Sequence, residues 1–432
     1  MSHCLFRGYF RGWGEVALCV LFVLPSGNAQ AGVWGFPAGS LGGIFAGPTD
    51  GSVSSVFWNP AAIDEAKGYT VGGDIAPTLA YINVGLEGQS RVSSTEWGLP
   101  FLAGGIAAPW EKFPLALGFA AYSPFGTSAE FPADGPQRFH LVRTEVSTLY
   151  LTPAFSVAPI SSLSIGGGLS IIREVATLRM AQDVVLDEVN ADLSSFSGWS
   201  WGWTVGLHFK PRERIAVGAA YLSPADFAVK GTAHFSMASA PGQRSSNPGR
   251  ILTSLPGALH AGVSYIVSDR WTIGGLVRRE MWSMVRNLIM EVDTADDTLR
   301  VKDEARSLQD TVSGRITGRY YGFKDLILAG GLGFQQKGTL DSHVSAGNLD
   351  FDMLQVEAGA SMGLGRGFSG ALTLSGYVPF ARRITGSGVI PSANGRYTGA
   401  IGQVHVSLLY SWEKGDQGGN DLAAKPMDLE KR

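Results

Sequence analysis

Val404-His405-Val406-Ser407-Leu408-Leu409-Tyr410-Ser411-Trp412 carries a large apolar or aromatic residue at every even position, while His405, Ser407 and Ser411 take three of the odd ones. A period of two is that of a strand with one apolar and one polar face. Tyr410 and Trp412 stand at its end, where aromatic rings anchor a membrane strand at the lipid–water interface. The pattern recurs upstream. Trp201, Trp203, Val205, Leu207 and Phe209 alternate with Gly202, Thr204, Gly206, His208 and Lys210, and Leu354, Val356, Ala358, Ala360 and Met362 oppose Gln355, Glu357, Gly359 and Ser361. Glu357, His208 and Lys210 do not suit a soluble strand buried on both faces. They do suit a strand with lipid on one side and a polar lumen on the other.

Short polar connections divide these segments: Glu111-Lys112-Phe113-Pro114, Ile160-Ser161-Ser162, Pro211-Arg212-Glu213-Arg214, Ser268-Asp269-Arg270, Phe323-Lys324-Asp325 and Gly365-Arg366-Gly367. These six turns alternate with seven longer loops and so join fourteen strands. The expected strands are 69–81, 98–109, 115–123, 145–158, 163–180, 199–210, 215–235, 252–267, 271–292, 309–322, 326–337, 351–363, 368–382 and 398–412. An even count with tight turns on one side and long loops on the other predicts an all-β fold, a 14-stranded antiparallel transmembrane β-barrel in an outer membrane.

Composition agrees. Charged residues are 16% of the chain, against about 25% in ordinary soluble domains, and 58 of 432 residues are glycine. No apolar run reaches the ~20 residues of a membrane helix. A net charge of −3 leaves no footprint for nucleic acid. Residues 1–31 read as an export signal: Arg7 and Arg11, the apolar run Val16 to Leu24, a break at Pro25-Ser26-Gly27, and a small-residue site at Ala29-Gln30-Ala31. Both cysteines, Cys4 and Cys19, fall inside it, so no thiolate chemistry is expected downstream. No metal, cofactor or catalytic residue is read. His140, His208, His260 and His405 lack ligand spacing. Gly198-Trp199-Ser200-Trp201-Gly202 matches a hydrolase elbow, but it sits in an alternating strand rather than at a strand-to-helix turn.

Residues 32–68 are different: rich in Gly, Ala and Ser, with scattered Trp34, Phe36, Leu41, Ile44, Phe45, Val56, Phe57 and Trp58. A plug (hatch) inside the lumen is expected, with a leader lying outside the barrel as the alternative. Here Ser54-Ser55-Val56-Phe57-Trp58-Asn59-Pro60-Ala61-Ala62, preceded by Asp50, resembles the N-terminal hatch of the FadL/TodX family of outer-membrane transporters for long-chain fatty acids and other hydrophobic compounds. Leu99-Pro100 with Ala108-Pro109, Tyr122-Ser123-Pro124-Phe125-Gly126, Ser254-Leu255-Pro256 and Asp269-Arg270-Trp271 extend the resemblance along the chain. It implies a hatch at 32–68, a barrel at 69–412 and a polar tail at 413–432, where family barrels usually end on an aromatic residue.

The resemblance also implies passive uptake of a hydrophobic molecule, a long-chain fatty acid first, through a lumenal pocket with lateral exit into the membrane. The expected partners are that ligand and outer-membrane lipid, with the protein a monomer. Phe57, Asn59, Pro60 and Ala61 are the expected hatch or substrate-path residues, either touching ligand or only anchoring the plug. Arg138, Arg143, Arg173 and Arg179 are candidate contacts for a carboxylate or a lipid head group, since charge-assisted pairs are strong in a shielded site. Two alternatives remain open: an aromatic-hydrocarbon channel, and a barrel that binds an assembly or attachment partner without transport.

Overall fold

A computed structural model describes residues 41–66, 68–108, 114–184, 187–293, 298–305 and 307–412. The expected export signal, the start of the hatch, the polar tail and most of the first turn lie outside the described residues. The 14 strands form a closed antiparallel barrel. They are β1 (Gly68–Ile75 and Thr78–Leu86), β2 (Val92–Gly98 and Phe101–Ala108), β3 (Leu115–Tyr122 and Gly126–Glu130), β4 (Arg143–Ile160), β5 (Leu163–Val184), β6 (Asp187–Arg212) and β7 (Ile215–Leu222 and Ala225–Met237). Then follow β8 (Ala240–Leu255 and Ala258–Ser268), β9 (Trp271–Glu280 and Asn287–Asp293), β10 (Thr298–Ala305 and Thr311–Phe323), β11 (Leu326–Gln335), β12 (Met353–Gly365), β13 (Phe368–Pro379 and Arg382–Ile384) and β14 (Gly395–Trp412). Pairing of β1 with β14, from Tyr69↔Trp412 to Ile75↔Val406, closes the cylinder. Closure removes the free edge that hydrocarbon would leave unsatisfied.

The side chains of each strand sort by position. On β6, Trp199, Trp201, Trp203, Val205, Leu207 and Phe209 are exposed on the lipid face, while Thr204 and His208 are buried inside. Near the tight turns, Tyr69 stacks on Trp412 at 5.2 Å and Phe368 packs on Tyr410 at 4.6 Å, part of an aromatic girdle.

The strand count matches expectation, but four of the seven loops do not. The strands run on beyond the bilayer, so that only residues 87–91, 185–186, 238–239 and 294–297 separate them. β6 starts at Asp187 rather than near 199, and β8 at Ala240 rather than near 252. Crossing takes only about 9–11 residues. The rest of these strands faces water and loop on both sides, so the lipid-driven alternation that revealed the spans is lost there. The longer connections, 131–142, 336–352 and 385–394, fold over the barrel mouth, where Phe131, Leu141, Val344, Leu349, Phe351 and Tyr397 form a second apolar core.

Candidate functional site

Residues 41–66 lie against the inward faces of the strands. They form a one-turn helix, α1 (Ser55–Trp58), flanked by 3-10 turns at Gly43–Phe45 and Pro60–Glu65. Asn59 is extended, as a residue before proline must be, and its side-chain oxygen accepts from Ala61 N, capping the second turn. Its amide Nδ2 donates to Pro48 O at 2.8 Å and to Leu207 O of β6 at 3.0 Å. Every polar atom of this side chain is thus committed to holding the hatch. The wall makes room for it: a Cβ at Gly206 would stand 2.0 Å from Asn59 Oδ1, and one at Gly166 2.3 Å from Ala61 N. Ser156 Oγ on β4 donates to Ala61 O at 2.9 Å.

The other end of the hatch is held by arginines. Arg319 donates to both carboxylate oxygens of Asp50 and to Phe45 O. Arg315 donates to Gly43 O and Ala46 O and pairs with Glu357 at 3.0 Å, both side chains being buried. Ser375 Oγ in turn donates to Glu357.

Above the hatch an aromatic cluster fills the lumen. Phe57 meets Trp58, Tyr122 and His260 at centroid distances of 5.1, 5.5 and 5.3 Å, and Tyr122 stacks on Tyr150 at 5.3 Å. Arg278 of β9 enters this cluster. Its side chain is 2% exposed, and its guanidinium carbon lies 5.8 Å from the ring centroids of both Phe57 and Phe125. Nη2 stands 2.8 Å from Glu280 Oε1 as an ion pair, yet neither Nη2 nor Nε has a hydrogen-bond partner. Glu280 also accepts from Trp282 Nε1 at 3.2 Å. Glu280 and Trp282 together line a cavity beneath the outer loops, with Ile82, Leu349, Phe351 and Met353 on its other walls.

The arginines expected from sequence do not enter this cluster. Arg138 pairs with Glu188 and covers the Phe139 ring at 4.3 Å, Arg143 pairs with Glu130 and Glu145, and Arg179 pairs with Asp192. Arg173 is exposed on the outer face, 5.7 Å from the Trp199 ring. The structure brings Phe57, Asn59, Pro60 and Ala61 together in the hatch, all fully buried. Sequence reasoning missed Arg278. Alternation does place it inward, because Val277 is exposed to lipid and neighbouring Arg279 faces out, but the Arg-Arg pair reads at first sight as a rim charge. Ser200 lies mid-strand, paired opposite Ile172 on β5, with no helix following.

The profile of the outer membrane protein transport protein family (OMPP1/FadL/TodX) matches residues 35–363. No curated protein sequence matches the chain. Among solved structures, a Pseudomonas aeruginosa FadL homologue superposes with a TM-score of 0.74 at 15% identity, covering 89% of this chain and 98% of that one. The P. putida toluene transporter TodX gives 0.71 at 14% identity, covering 89% and 100%. The Ralstonia pickettii toluene transporter TbuX gives 0.66 at 14%, covering 88% and 99%. With a hatch seated in a closed 14-stranded cylinder and a family match over most of its length, the chain belongs to the OMPP1/FadL/TodX family and is an outer-membrane transporter of hydrophobic compounds.

Proposed function

We propose that the cargo is a long-chain fatty acid, passing from the cavity under the outer loops into the aromatic cluster above Phe57. The observation that carries this reading is the buried Arg278 guanidinium with its unpartnered Nε. A charge in an apolar lumen is costly unless paired, and Glu280 supplies only part of the pairing. A carboxylate arriving along the Trp282 side would complete it, while the acyl tail lies against Phe57, Phe125 and Tyr150. Toluene, the cargo named for TodX and TbuX, offers nothing to a guanidinium except a ring face.

Exit is proposed to be sideways. β1, β2 and β3 are all interrupted, at 76–77, 99–100 and 123–125. Backbone pairing of β2 with β3 runs to Leu102↔Tyr122, with one further bond from Ser123 N to Phe101 O at 3.1 Å. Beyond it, Glu96 joins the outer halves through its carboxylate, accepting from Glu130 N and Ser128 Oγ at 2.9 and 3.0 Å. Phe125 fills this break from inside, next to Arg278. An oily solute leaving there avoids water, which would cost about 0.8 kcal/mol per exposed CH₂.

The test is uptake of a labelled fatty acid by cells or liposomes carrying the protein, with Glu96→Cys and Ser128→Cys joined by a disulfide. Locked protein should stop transport and recover on reduction. Equal uptake in both states would remove the lateral route, and uptake of toluene but no fatty acid would remove the cargo assignment.

A further inference from the structure

A polar cluster at the far end of the hatch takes no part in the path above. Asp64 and Glu65 close the last 3-10 turn of the hatch and face β5 and β6. Ser164 Oγ donates to Asp64 Oδ2, and Lys210 Nζ donates to Glu65 Oε2. His208 Nδ1 stands 3.5 Å from Glu65 Oε1. One oxygen from each carboxylate and one nitrogen of His208 all lie within 4.8 Å of one another. The protein leaves this group incomplete: Asp64 Oδ1 and His208 Nε2 are buried without a hydrogen-bond partner, on a histidine that is only 1% exposed. Buried polar atoms are nearly always satisfied, so two orphans on members of one cluster call for an explanation. Asp64 Oδ1 is free to take a partner, while His208 presents Nδ1 to Glu65 and its Nε2 stays outside that face.

We propose that Asp64, Glu65 and His208 bind one divalent transition-metal ion of the zinc class, which ties the end of the hatch to β6. One imidazole and two carboxylates form a borderline donor set that suits Zn²⁺, whereas Ca²⁺ and Mg²⁺ want six or more oxygens. A tetrahedral ion with bonds of about 2.05 Å holds neighbouring ligands about 3.4 Å apart. The His208 Nδ1–Glu65 Oε1 edge already has that length, at 3.5 Å. Asp64 supplies the third ligand, since one of its oxygens lies within 4.8 Å of the other two ligand atoms and its Oδ1 has no hydrogen-bond partner. A fourth position stays open to water. Two carboxylates against one lysine leave a net negative cluster, and Lys210 holds Glu65 through Oε2, opposite the oxygen that faces His208. Lys210 is therefore a competitor for the ion rather than part of its shell. The site is built across chain-distant segments, which is why histidine spacing in the sequence carried no sign of it. Its logic does not depend on the cargo, so it stands or falls apart from the fatty-acid reading.

The full chain, purified in detergent and stripped with chelator, is titrated with Co²⁺ as a coloured probe and then with Zn²⁺. One equivalent of Co²⁺ should bind with the intense visible absorption of a tetrahedral site and be displaced by Zn²⁺. His208→Ala should weaken binding roughly 100-fold, Asp64→Asn should weaken it as well, and Lys210→Met should tighten it several-fold. Circular dichroism and heat-modifiable gel migration check that each variant keeps its barrel. Zn²⁺ should slow amide exchange across 60–66 in the native protein and not in His208→Ala. Absence of saturable binding, equal affinity in folded His208→Ala, equal displacement by Ca²⁺, or weaker binding in Lys210→Met would each overturn the proposal.

Discussion

The Arg278 guanidinium lies 5.8 Å from the centre of the Phe57 ring, so the hatch itself forms one wall of the cation's cage. Plug and cationic site are one packed unit, and anything that engages Arg278 presses on Phe57. Replacing Arg278 with Met keeps most of the volume and removes the charge. A charge-assisted hydrogen bond contributes about 1.5–3 kcal/mol, so fatty-acid affinity should fall roughly tenfold to a hundredfold. Affinity for an alcohol of the same chain length should hardly change. Calorimetry on the two ligands checks this, and equal losses for both would end the head-group reading.

Asn59→Ala removes three hydrogen bonds at once, including the side-chain donor to the carbonyls of Pro48 and Leu207. Each buried carbonyl left unpaired costs about 1–3 kcal/mol. The barrel does not depend on this residue, since its strands pair with each other, but the seat of the hatch does. Single-channel recording should therefore show ion leakage through Asn59→Ala and none through the native protein. Gly206→Val should leak as well, by pushing the hatch off the wall from the opposite side.

The spans were legible in the sequence because lipid imposes a rule on one face of every strand. Leu354 to Met362 and Val404 to Trp412 obey it throughout. Asp187 to Leu193 does not, since that part of β6 stands clear of the bilayer and pairs with the equally polar end of β5. The Asn59-Pro60-Ala61 turn was legible as a motif, but its inward glycine seat was not, because Gly166 and Gly206 read simply as the small side of an alternating strand. The buried ion pairs escaped for a related reason. Alternation turns Glu357 inward, yet nothing in its own segment says that Arg315, two strands away, would meet it.

That pair supports a third prediction. Arg315 and Glu357 are 3% and 0% exposed, and Arg315 also holds the carbonyls of Gly43 and Ala46. Removing one partner of a buried pair typically costs about 3–5 kcal/mol, because the other charge stays behind. Glu357→Ala should accordingly lower the urea midpoint far more than Arg315→Met combined with Glu357→Leu, which buries no charge. If the double variant is the less stable of the two, the pair stabilises the barrel in its own right.

Acid should loosen the entrance. Asp310 lies between the two segments of β10, outside the spanning region, and accepts from Ser283 Oγ at 2.6 Å, Ser283 N at 3.1 Å and Arg279 Nη2 at 2.7 Å. The Ser283 hydroxyl, with help from Arg279 and against a smaller effect of burial, holds the Asp310 carboxyl below its ordinary value. A depressed value means the folded form prefers the charged group. The stabilisation is then complete above about pH 4, the range of a free aspartate, and is lost as pH falls through the lower folded value. What loosens is the turn Trp282–Met284, which carries the Trp282 ring bordering the cavity under the loops. Iodide quenching, compared between the native protein and Trp282→Phe, should show Trp282 becoming accessible below about pH 4. Asp310→Asn should remove that pH step, because an amide does not titrate; a step that persists in Asp310→Asn would take the acid response away from Asp310.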